Sequence, residues 1–375
     1  MTIKVLHLID SGGLYGAEMM LLSLVEEQIK SGIKPLILSV GLPGALEKPL
    51  ETEAIRRGLP VKALRMKAGI NPLKAFQIIK LANRESFNLM HSHGYKFNIL
   101  LGAIPGFIRK VPLLTTLHGY TSASGFSKMK VYQLLERFFL KRLDGVVYVS
   151  SAIKNNPILK GFCSEKEAVI PNGIDAARII NAASDDCAAS IQDFFPDEND
   201  KCKYIGAIGR LSQEKGFDLL IDAFSELVID EPNLRLIIIG EGPLRSQLEQ
   251  KITDKNLQNK IKLPGFVSPV YRLMNELDGL VMPSHTEGLP ITLLEGCILN
   301  LPIVASRVGS IEEVLSSYDS SVVVTPGDVN EIRDAIKKLI IDGKAISVES
   351  WNSEAYDSKS MSIRYVKFYG RLLNS

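Results

Sequence analysis

Several familiar sequence signals are missing from this chain, and each absence excludes a class of protein. Across its 375 residues no uninterrupted apolar run approaches the roughly 18 residues that a membrane-spanning helix needs. The N-terminus is predicted to form a strand and has no signal-peptide layout. The four cysteines are scattered and include no C-x-x-C pair, which argues for reduced thiols and against a zinc site or a disulfide framework. We therefore expect a cytoplasmic protein.

The common signatures of nucleotide and nucleic-acid binding are absent as well. The glycine-rich loop that begins at Gly12 has leucine and alanine where the dinucleotide fingerprint G-x-G-x-x-G requires its second and third glycines. The P-loop pattern G-x-x-x-x-G-K-[ST] does not occur. A zinc finger, an aromatic RNA-binding motif and a basic helix of the usual kinds are also missing, so we expect no nucleic-acid partner.

Charge divides the chain into a basic half and an acidic half. Residues 1–171 contain 23 Lys and Arg against 12 Asp and Glu, a net charge of +11. Residues 172–375 contain 21 against 30, a net charge of −9. This asymmetry predicts that the first half meets an anionic partner. A phosphate-bearing acceptor and an anionic phospholipid surface both fit, and the second would place the protein at the inner face of the membrane.

One basic segment, Phe126 to Arg142, is a candidate for such a membrane contact. Its pattern predicts an amphipathic helix with enough apolar residues for two faces. One interpretation is a core helix with a charged outer face. The other is an interfacial helix that lies on anionic lipid.

Short apolar runs alternate with amphipathic helical patterns along the whole chain, as in parallel sheets that carry helices on both faces. The predicted strands are 3–9, 35–40, 87–91, 112–118, 144–149, 203–209, 234–239, 261–263, 278–282, 302–306 and 321–325. The rhythm restarts near residue 203, after a polar stretch. The predicted fold class is therefore α/β, with two doubly wound Rossmann-like domains in tandem.

The domain boundary is predicted at a turn-forming run, Ile170-Pro171-Asn172-Gly173. This gives an N-terminal domain of residues 1–171 and a C-terminal domain of residues 172–357. Ser358 to Leu373 has the pattern of a closing helix. We expect this helix, over about residues 358–375, to pack back on the first domain.

The densest set of candidate functional residues lies in the segment 284–295. The segment follows an apolar run, 279–283, that is predicted to be a buried strand, and Pro290 suits the first turn of a helix. A strand-to-helix crossing presents free N–H groups and the positive end of a helix dipole, which favour an anion. Two carboxylates eight residues apart, Glu287 and Glu295, flank this site. A charge at a helix start plus a solvated glutamate is the simpler interpretation.

Two cations follow another predicted strand, in the segment Gly209 to Gly216. Ligands of open parallel sheets bind at the carboxyl ends of the strands, so Arg210 and Lys215 are expected at the same edge as Glu287. Arginine offers a rigid fork for phosphate oxygens, and lysine offers a mobile point charge. Solvated surface cations are the alternative, but the shared edge favours phosphate binding.

Glycine-rich turns follow two further strands. Gly12 and Gly13 lie between the first strand and the first helix, and Gly240-Glu241-Gly242-Pro243 follows the strand 234–239. Glycine lets a ligand approach the backbone closely. A tight structural turn is the alternative for each. In the second domain, the turn after the strand 234–239 is expected to join the strand-to-helix turns in the segments 209–216 and 284–295 at one edge of the sheet. Three such turns at one edge favour a nucleotide cleft there.

Three of the five histidines invite a functional interpretation. His118 ends a strand, where an imidazole can contact a reacting group, and a hydrogen-bonded structural role is the alternative. His91 and His93 are two residues apart near a strand end and point the same way, but no carboxylate is near them in the sequence to complete a metal site. His7 and His285 are interpreted as structural.

Together these motifs make the chain similar, over nearly its whole length, to the GT4-type retaining glycosyltransferases of the GT-B fold. The most specific match is the E-x7-E motif, here Glu287 and Glu295. The remaining matches are Gly12-Gly13, Thr116-Leu117-His118-Gly119, Pro171-Asn172-Gly173-Ile174-Asp175, Gly209-Arg210-Leu211 and Lys215-Gly216. Each short motif is weak alone, but the ordered set is strong. The resemblance implies two Rossmann-like domains that face a central cleft.

The resemblance also implies a nucleotide-diphosphate sugar as donor substrate, a UDP- or GDP-sugar, bound mostly by the second domain. Arg210 and Lys215 would hold the diphosphate and stabilise it as the leaving group. Glu287 would hold the sugar. His118 would reach the sugar from the first, acceptor-side domain, near the bond that breaks. These four are the predicted catalytic residues.

A further set of residues is expected to bind the donor. Glu295 would bond the ribose hydroxyls, and backbone amides would help to hold the sugar. In addition to Arg210 and Lys215, the predicted binding set is Gly12, Gly13, Glu241, Gly288, Leu289 and Glu295.

The implied enzyme is retaining and metal-independent, needs no cofactor, and uses cations and helix dipoles in the role of Mg²⁺. The absence of a D-x-D motif in a ligand-like setting agrees with this. The acceptor hydroxyl would attack from the front face, without an enzymatic nucleophile. The acceptor would be a glycan or a lipid-linked molecule, in cell-surface polysaccharide or glycolipid assembly.

Other interpretations stay open on the sequence alone. Within the fold these are a GT-B-type nucleotide-sugar epimerase and a phosphorylase, although a phosphorylase usually has a longer chain. A glycoside hydrolase also uses two carboxylates, but it would not need Arg210 and Lys215. A non-catalytic nucleotide-sugar-binding protein is the last alternative, and the intact motif set argues against it.

Overall fold

The structure is a computed structural model that describes residues 2–10, 12–67, 69, 71–119, 128–159, 166–196, 201–341, 343 and 351–374. Two compact units are present: Met1–Ile174 together with Glu354–Ser375, and Asp175–Ser353. Within the described ranges, no helix combines the length and the apolar character needed to cross a membrane. Residues 126 and 127, at the start of the predicted basic helix, lie outside the described residues.

The first unit is built on one parallel sheet. Its strands are β1 Lys4–Ile9, β2 Lys34–Gly41, β3 Val61–Arg65, β4 Leu89–Ser92, β5 Leu113–Leu117, β6 Gly145–Tyr148 and β7 Glu167–Val169. Its helices up to the boundary are α1 Gly16–Lys30, α2 Pro49–Arg56, α3 Pro72–Arg84, α4 Tyr95–Gly102, α5 Gly106–Arg109, α6 Lys128–Leu140 and α7 Ser151–Lys154. The strand order is β3-β2-β1-β4-β5-β6-β7, so the winding direction reverses between β1 and β4.

The second unit repeats this plan. Its strands are β8 Lys203–Ile208, β9 Leu234–Ile239, β10 Ile261–Gly265, β11 Gly279–Met282, β12 Ile303–Ser306 and β13 Ser321–Val324. Its helices are α8 Ala176–Ala183, α9 Phe217–Asp230, α10 Arg245–Asp254, α11 Tyr271–Asn275, α12 Ile291–Ile298, α13 Ile311–Leu315 and α14 Val329–Ile336. The parallel order β10-β9-β8-β11-β12-β13 reverses between β8 and β11. The predicted class, two doubly wound Rossmann-like domains, is confirmed.

Burial explains why the central strands were visible in the sequence. All six residues of β9, Leu234 to Ile239, are buried, because helices cover both faces of a parallel sheet. The largest described core of the second unit packs residues of α9 and α14 against such strands. The first unit has a corresponding core between α1, β1 and β2.

Two strands of the first sheet escaped prediction, and both are edge strands. The residues of β3 are exposed or half-buried, and all three residues of β7 are half-buried. An edge strand is covered less than a central one, and it is kept short and polar to discourage pairing with other chains. It therefore lacks the continuous apolar run from which the other strands were predicted.

The C-terminal helix, α15 Ser358–Asn374, belongs to the first unit. A bridge between Ile174 and Asp357 brings the chain back to this unit just before the helix starts. Two tyrosines of α15 are buried, and both bond to residues of the unit. The Tyr369 hydroxyl accepts from the Gln28 side chain at 3.1 Å, and the Tyr365 hydroxyl lies 2.8 Å from Thr116 Oγ1.

The loop after β8 is bonded to the loop after β9. The Gly209 N–H donates to the Ile239 carbonyl at 2.9 Å, and the Leu211 N–H donates to the Glu241 carbonyl at 3.0 Å. The bond pattern of the two strands thus continues past their ends. As a result, the residues that follow both strands are held at the same edge of the sheet.

The same loop also packs on the end of β11. The His285 N–H donates to the Glu214 carbonyl at 2.8 Å, which holds the 3-10 turn Gln213–Lys215 in place. Gly216 ends this turn with a φ of +63° and precedes α9 directly. A Cβ at this position would lie 2.2 Å from the Pro283 carbonyl oxygen. Both the backbone conformation and the close packing therefore require glycine here.

We expect Gly216→Ala to lower the free energy of unfolding by about 2–4 kcal/mol, since it combines a strained backbone with a steric clash. Gly327→Ala is the matched control, because Gly327 has a φ of +87° but open space around its missing Cβ. That change should cost only about 1 kcal/mol. Urea unfolding of both variants measures the difference, and equal losses would contradict the packing argument.

Candidate active site

An ion pair joins Lys215 and Glu287 across the two strands at which the second sheet reverses. Lys215 Nζ lies 2.6 Å from Glu287 Oε1. The Ser284 hydroxyl donates to the same carboxylate oxygen at 2.7 Å. The side chains are 21% and 9% exposed, so the pair is shielded yet accessible from solvent. Ligands of doubly wound sheets bind at such a reversal point. The positive charge of Lys215 lies there.

Arg210, five residues before Lys215 in the sequence, supplies a second positive charge. It follows β8 directly after Gly209, and its side chain is exposed. Its carbonyl accepts from the Ser212 N–H at 2.8 Å, which fixes the backbone. Within the described part of the chain, its guanidinium has no hydrogen bond or ion pair. The fork of donors is thus available to an anionic ligand.

The segment from Glu287 to Leu289 leads into α12. Pro290 has an extended backbone and is the N-cap of the helix, which begins at Ile291, so it lies just before the first turn in which the sequence predicted it. Ser310 fixes this segment, since its N–H and its hydroxyl donate to the Gly288 carbonyl at 3.0 and 2.8 Å. The N-terminus of α12, which carries a partial positive charge, begins four residues after Glu287.

Glu295, the second carboxylate of the E-x7-E motif, is buried within α12. The Tyr271 hydroxyl donates to its Oε1 at 3.0 Å. Burial raises the pKa of Glu295 to about 7, although the tyrosine bond opposes the shift. Its protonation is therefore balanced near neutral pH. Glu287 lies outside the helix, so the two carboxylates are in different environments.

Glu241 stands apart from the Lys215–Glu287 pair. It follows β9, is exposed, and pairs at 2.9 Å with Arg245, the first residue of α10. The Arg245 bond lowers the pKa of Glu241. The side chain is held along α10, and only the Glu241 carbonyl joins the loop that carries Arg210.

Gly12 and Gly13 lie in the first unit, between β1 and α1. Gly12 is exposed, with open space where a Cβ would be, and Gly13 is buried. The following helix is capped by Glu18, whose carboxylate accepts from the Tyr15 N–H at 3.0 Å. The loop thus leads into a helix N-terminus at the edge where the first sheet reverses.

His118 also lies in the first unit, directly after β5. Its Nε2 is 3.3 Å from His93 Nδ1. Its Nδ1 is buried and has no hydrogen-bond partner among the described residues. Burial lowers the pKa of His118 to about 4, so the ring is neutral at physiological pH. A neutral imidazole with one unused nitrogen can still bond one ligand group.

His118 is the outermost member of a cluster of four histidines. The rings of His91 and His93 are 4.1 Å apart, which confirms that they point the same way. His7 joins them, and nitrogens of the three rings lie within 4.8 Å of one another, close enough in principle for one metal ion. Each of their ring nitrogens is already hydrogen-bonded to another side chain. The arrangement is therefore that of a buried hydrogen-bond network.

The structure brings some predicted residues together and leaves others apart. Lys215 and Glu287 touch, and the Arg210 and Glu241 loops are bonded through their backbones. The sequence did not predict two side-chain partners. These are Ser284, which bonds Glu287, and Tyr271, which bonds Glu295. Ser284, three residues before Glu287, was detectable from spacing. Tyr271 was not, because it is 24 residues from Glu295 and meets it only through the fold.

Chemically, the second unit presents a lysine paired with a carboxylate, a helix that begins four residues after that carboxylate, and an exposed arginine on the loop of the lysine. Such a set stabilises an anionic group that gains charge as a bond breaks. The carboxylate next to the cations suits a polar, hydroxyl-bearing ligand part. The arrangement lacks the pair of free carboxyls of a hydrolase, since Glu295 is buried against Tyr271 and Glu287 is bonded to Lys215.

Comparisons with known proteins agree with this geometry. The profile of the family "Glycosyl transferases group 1" matches residues 190–358, and that of "Glycosyltransferase Family 4" matches residues 15–178. The two profiles therefore account for one unit each.

Individual relatives are distant but extend over most of the chain. A 2-deoxystreptamine glucosyltransferase of Streptomyces kanamyceticus is 23% identical, over 85% of this chain and 88% of its own. A UDP-Gal:alpha-D-GlcNAc-diphosphoundecaprenol alpha-1,3-galactosyltransferase of Escherichia coli is 24% identical, over 73% and 72%. The crystal structure of Anabaena HepE with UDP and glucose has a TM-score of 0.79 at 22% identity, covering 97% of this chain and 98% of HepE. The chain thus belongs to the GT4-type glycosyltransferases and has their two-domain, Rossmann-like GT-B fold.

Proposed function

We propose that this glycosyltransferase takes a sugar from a nucleotide-diphosphate sugar and transfers it to an acceptor hydroxyl with retention of configuration and without a metal ion. The observation that carries the proposal is the Lys215–Glu287 ion pair at the reversal of the second sheet, with Arg210 exposed on the same loop as Lys215. Cations stabilise a bound diphosphate, and a carboxylate accepts hydrogen bonds from the hydroxyls of a bound sugar. In this proposal the second unit binds the donor and the first unit binds the acceptor.

The donor is proposed to be a UDP-sugar. This is supported by the HepE structure, which holds UDP and glucose, and by the name of the E. coli relative, which uses UDP-Gal. Arg210 and Lys215 bind the diphosphate in the proposed complex. Glu287, with the amides of Gly288 and Leu289, holds the sugar.

The remaining predicted residues receive binding roles. Glu295 accepts from ribose hydroxyls, and Glu241 lies on the neighbouring loop of the same edge. The Gly12–Gly13 loop contributes backbone from the first unit. His118 offers its unused nitrogen to the sugar. These assignments rest on the family motifs and on the placement of each residue at a strand end.

The proposed reaction breaks the bond between the sugar anomeric carbon and the β-phosphate oxygen, and the electron pair leaves with the nucleoside diphosphate. The acceptor hydroxyl forms the new bond from the same face, and its proton passes to the departing phosphate. Lys215 and Arg210 stabilise the charge that develops on this phosphate, an effect that operates mainly in the transition state. No side chain serves as a nucleophile.

The acceptor is proposed to be a glycan or a lipid-linked glycan in polysaccharide or glycolipid assembly. The diphosphoundecaprenol acceptor named for the E. coli relative supports this. The net charge of +11 on residues 1–171 also favours an anionic acceptor or surface.

The exposed face of α6 supports contact with an anionic membrane. Val131, Leu134 and Phe138 are 57%, 61% and 57% exposed, and their spacing of three and four residues puts them on one face. The cations around this apolar stripe are exposed: Lys130, Arg137, Lys141 and Arg142. The Arg142 guanidinium lies 4.7 Å from the centre of the Phe138 ring. Apolar residues edged by basic ones are typical of a helix that lies in a bilayer interface.

We expect Lys215→Ala and Arg210→Ala each to lower kcat by roughly 10²–10³, because each removes a preorganised charge from the leaving group. The measurement is nucleotide release and sugar transfer over a panel of UDP- and GDP-sugars. Arg333→Ala is the control, since Arg333 pairs with Glu226 on the outside of the same unit. Near-wild-type turnover in either site variant would contradict the assignment. Nucleotide binding without release would favour a non-catalytic binding protein.

Binding of UDP should strengthen as the pH rises from about 6 to 8. The ionised form of Glu295 accepts hydroxyl protons better than its protonated form, and its pKa of about 7 puts this change in that range. The affinity for UDP should change by at most about tenfold per pH unit. Calorimetric titration with UDP measures it in the wild type and in Glu295→Gln.

In Glu295→Gln, the affinity for UDP should keep only the pH dependence that comes from ionisation of the UDP phosphate. This part is the same in the wild type and in the variant. Tyr271→Phe removes the bond that lowers the pKa of Glu295, so it should move the midpoint to higher pH. Identical pH profiles for the wild type and Glu295→Gln would exclude Glu295 from donor binding.

We expect the double change Leu134→Ser and Phe138→Ser to weaken binding to phosphatidylglycerol vesicles at least about tenfold, since two apolar anchors are lost. Flotation with anionic and neutral vesicles measures this. Ile229→Ser, which alters an exposed residue on α9 of the other unit, is the control. If flotation is unchanged in the double variant, α6 is not the contact.

A further inference from the structure

A chain of side-chain hydrogen bonds runs through the interior of the first unit from Gln28 to His118. Gln28 Oε1 is 2.9 Å from His7 Nε2, and His7 Nδ1 is 3.0 Å from His93 Nε2. His93 Nδ1 is in turn 3.3 Å from His118 Nε2. Gln28 and His7 are fully buried, and His93 is nearly so. The chain ends at His118 Nδ1, which has no partner among the described residues.

Burial keeps all of these rings neutral. It lowers the pKa values of His7 and His118 to about 4, and it lowers the pKa of His93 well below its usual range. A neutral imidazole has one nitrogen that donates and one that accepts. Along a chain of neutral rings, therefore, the role of the first nitrogen determines the role of every later one.

The amide oxygen of Gln28 fixes the direction of this chain. An amide oxygen can only accept, so His7 Nε2 carries the hydrogen and His7 Nδ1 accepts from His93 Nε2. His93 Nδ1 must then accept from His118 Nε2. This leaves His118 with its hydrogen on Nε2 and a lone pair on Nδ1.

A second branch holds the Gln28 amide in this orientation. Its Nε2 donates to the Tyr369 hydroxyl at 3.1 Å, which frees the tyrosine hydrogen for His91 Nδ1 at 2.8 Å. His91 Nε2 then donates to Thr116 Oγ1, also at 2.8 Å. The reverse amide orientation would leave a buried N–H of His118 without an acceptor. An orphaned buried donor is rarer than an under-used acceptor.

We propose that Gln28 is a positioning residue that, through His7 and His93, sets the tautomer of His118 and so presents a hydrogen-bond acceptor at Nδ1. The site this creates takes a hydroxyl donor. Under the proposed function, on which this last step rests, that donor is a hydroxyl of the sugar. Gln28 acts through two rings and does not touch the ligand itself.

The test is the position of the ring hydrogens in the protein without donor. With ¹⁵N-labelled histidine, long-range ¹H–¹⁵N spectra distinguish a protonated nitrogen from one with a lone pair, and only five histidines need assignment. We expect the Nε2–H tautomer for His118 in the wild type. In Gln28→Leu the acceptor for His7 is lost, so the His118 signals should shift toward a mixture of both tautomers.

Tyr369→Phe provides a milder second variant in case Gln28→Leu does not fold. It removes the hydroxyl that holds the Gln28 amide, so the amide can turn and the His118 tautomers should again mix. Tyr365→Phe is the matched control. It deletes a buried hydroxyl from the same helix, but that hydroxyl bonds Thr116 at the far end of the other branch. The His118 spectrum should not change in this control.

An Nδ1–H tautomer of His118 in the wild type would overturn the proposal. So would an unchanged His118 spectrum in folded Gln28→Leu or Tyr369→Phe protein. Turnover gives a separate readout, with kcat expected to fall about fivefold to tenfold in Gln28→Leu from loss of one hydrogen bond. A shifted tautomer with unchanged turnover would support the role of Gln28 and would contradict the role of His118 in the proposed function.

Discussion

The edge of the second unit that carries Lys215 and Glu287 depends on the adjacency of β8 and β11. These strands are 70 residues apart along the chain but lie side by side where the sheet reverses, and they bring Lys215 within 2.6 Å of Glu287. The loops after them touch so closely that Gly216 has no room for a side chain. In a sheet wound in one direction only, a helix would separate loops of this kind. The reversal therefore brings two opposite charges together at one edge of the sheet.

The two units share one topology but differ in the charge of the polar side chains at the sheet edge. The second keeps its cations partly exposed, where they can meet a strongly anionic group without the large cost of burying a charge. The first gathers four histidines in a network, three of them buried and His118 half-buried, and keeps them neutral by desolvation. One edge thus presents charge, and the other presents an uncharged imidazole. Under the proposed function the charges bind the diphosphate, and the imidazole bonds a hydroxyl of the sugar.

Much of the fold was predictable because burial leaves a local pattern. The central strands are continuous apolar runs, and they were predicted from these runs. The edge strands β3 and β7 were not, since an edge strand is only partly covered and carries mixed side chains. The motif residues at strand ends were also identifiable. Their roles in binding and transfer stay predictions.

The sequence by itself determined the βα order apart from the edge strands β3 and β7, the two-domain plan and the list of residues at the ends of the predicted strands. Each of these is encoded by neighbours within a few positions, through burial periodicity and turn chemistry. Only the tertiary structure decided which of those residues meet: Lys215 with Glu287, Glu295 with Tyr271, and His118 with the chain that starts at Gln28. Such contacts join residues that are tens of positions apart. They follow from strand order and from the need of every buried polar atom for a partner, and no local pattern records either.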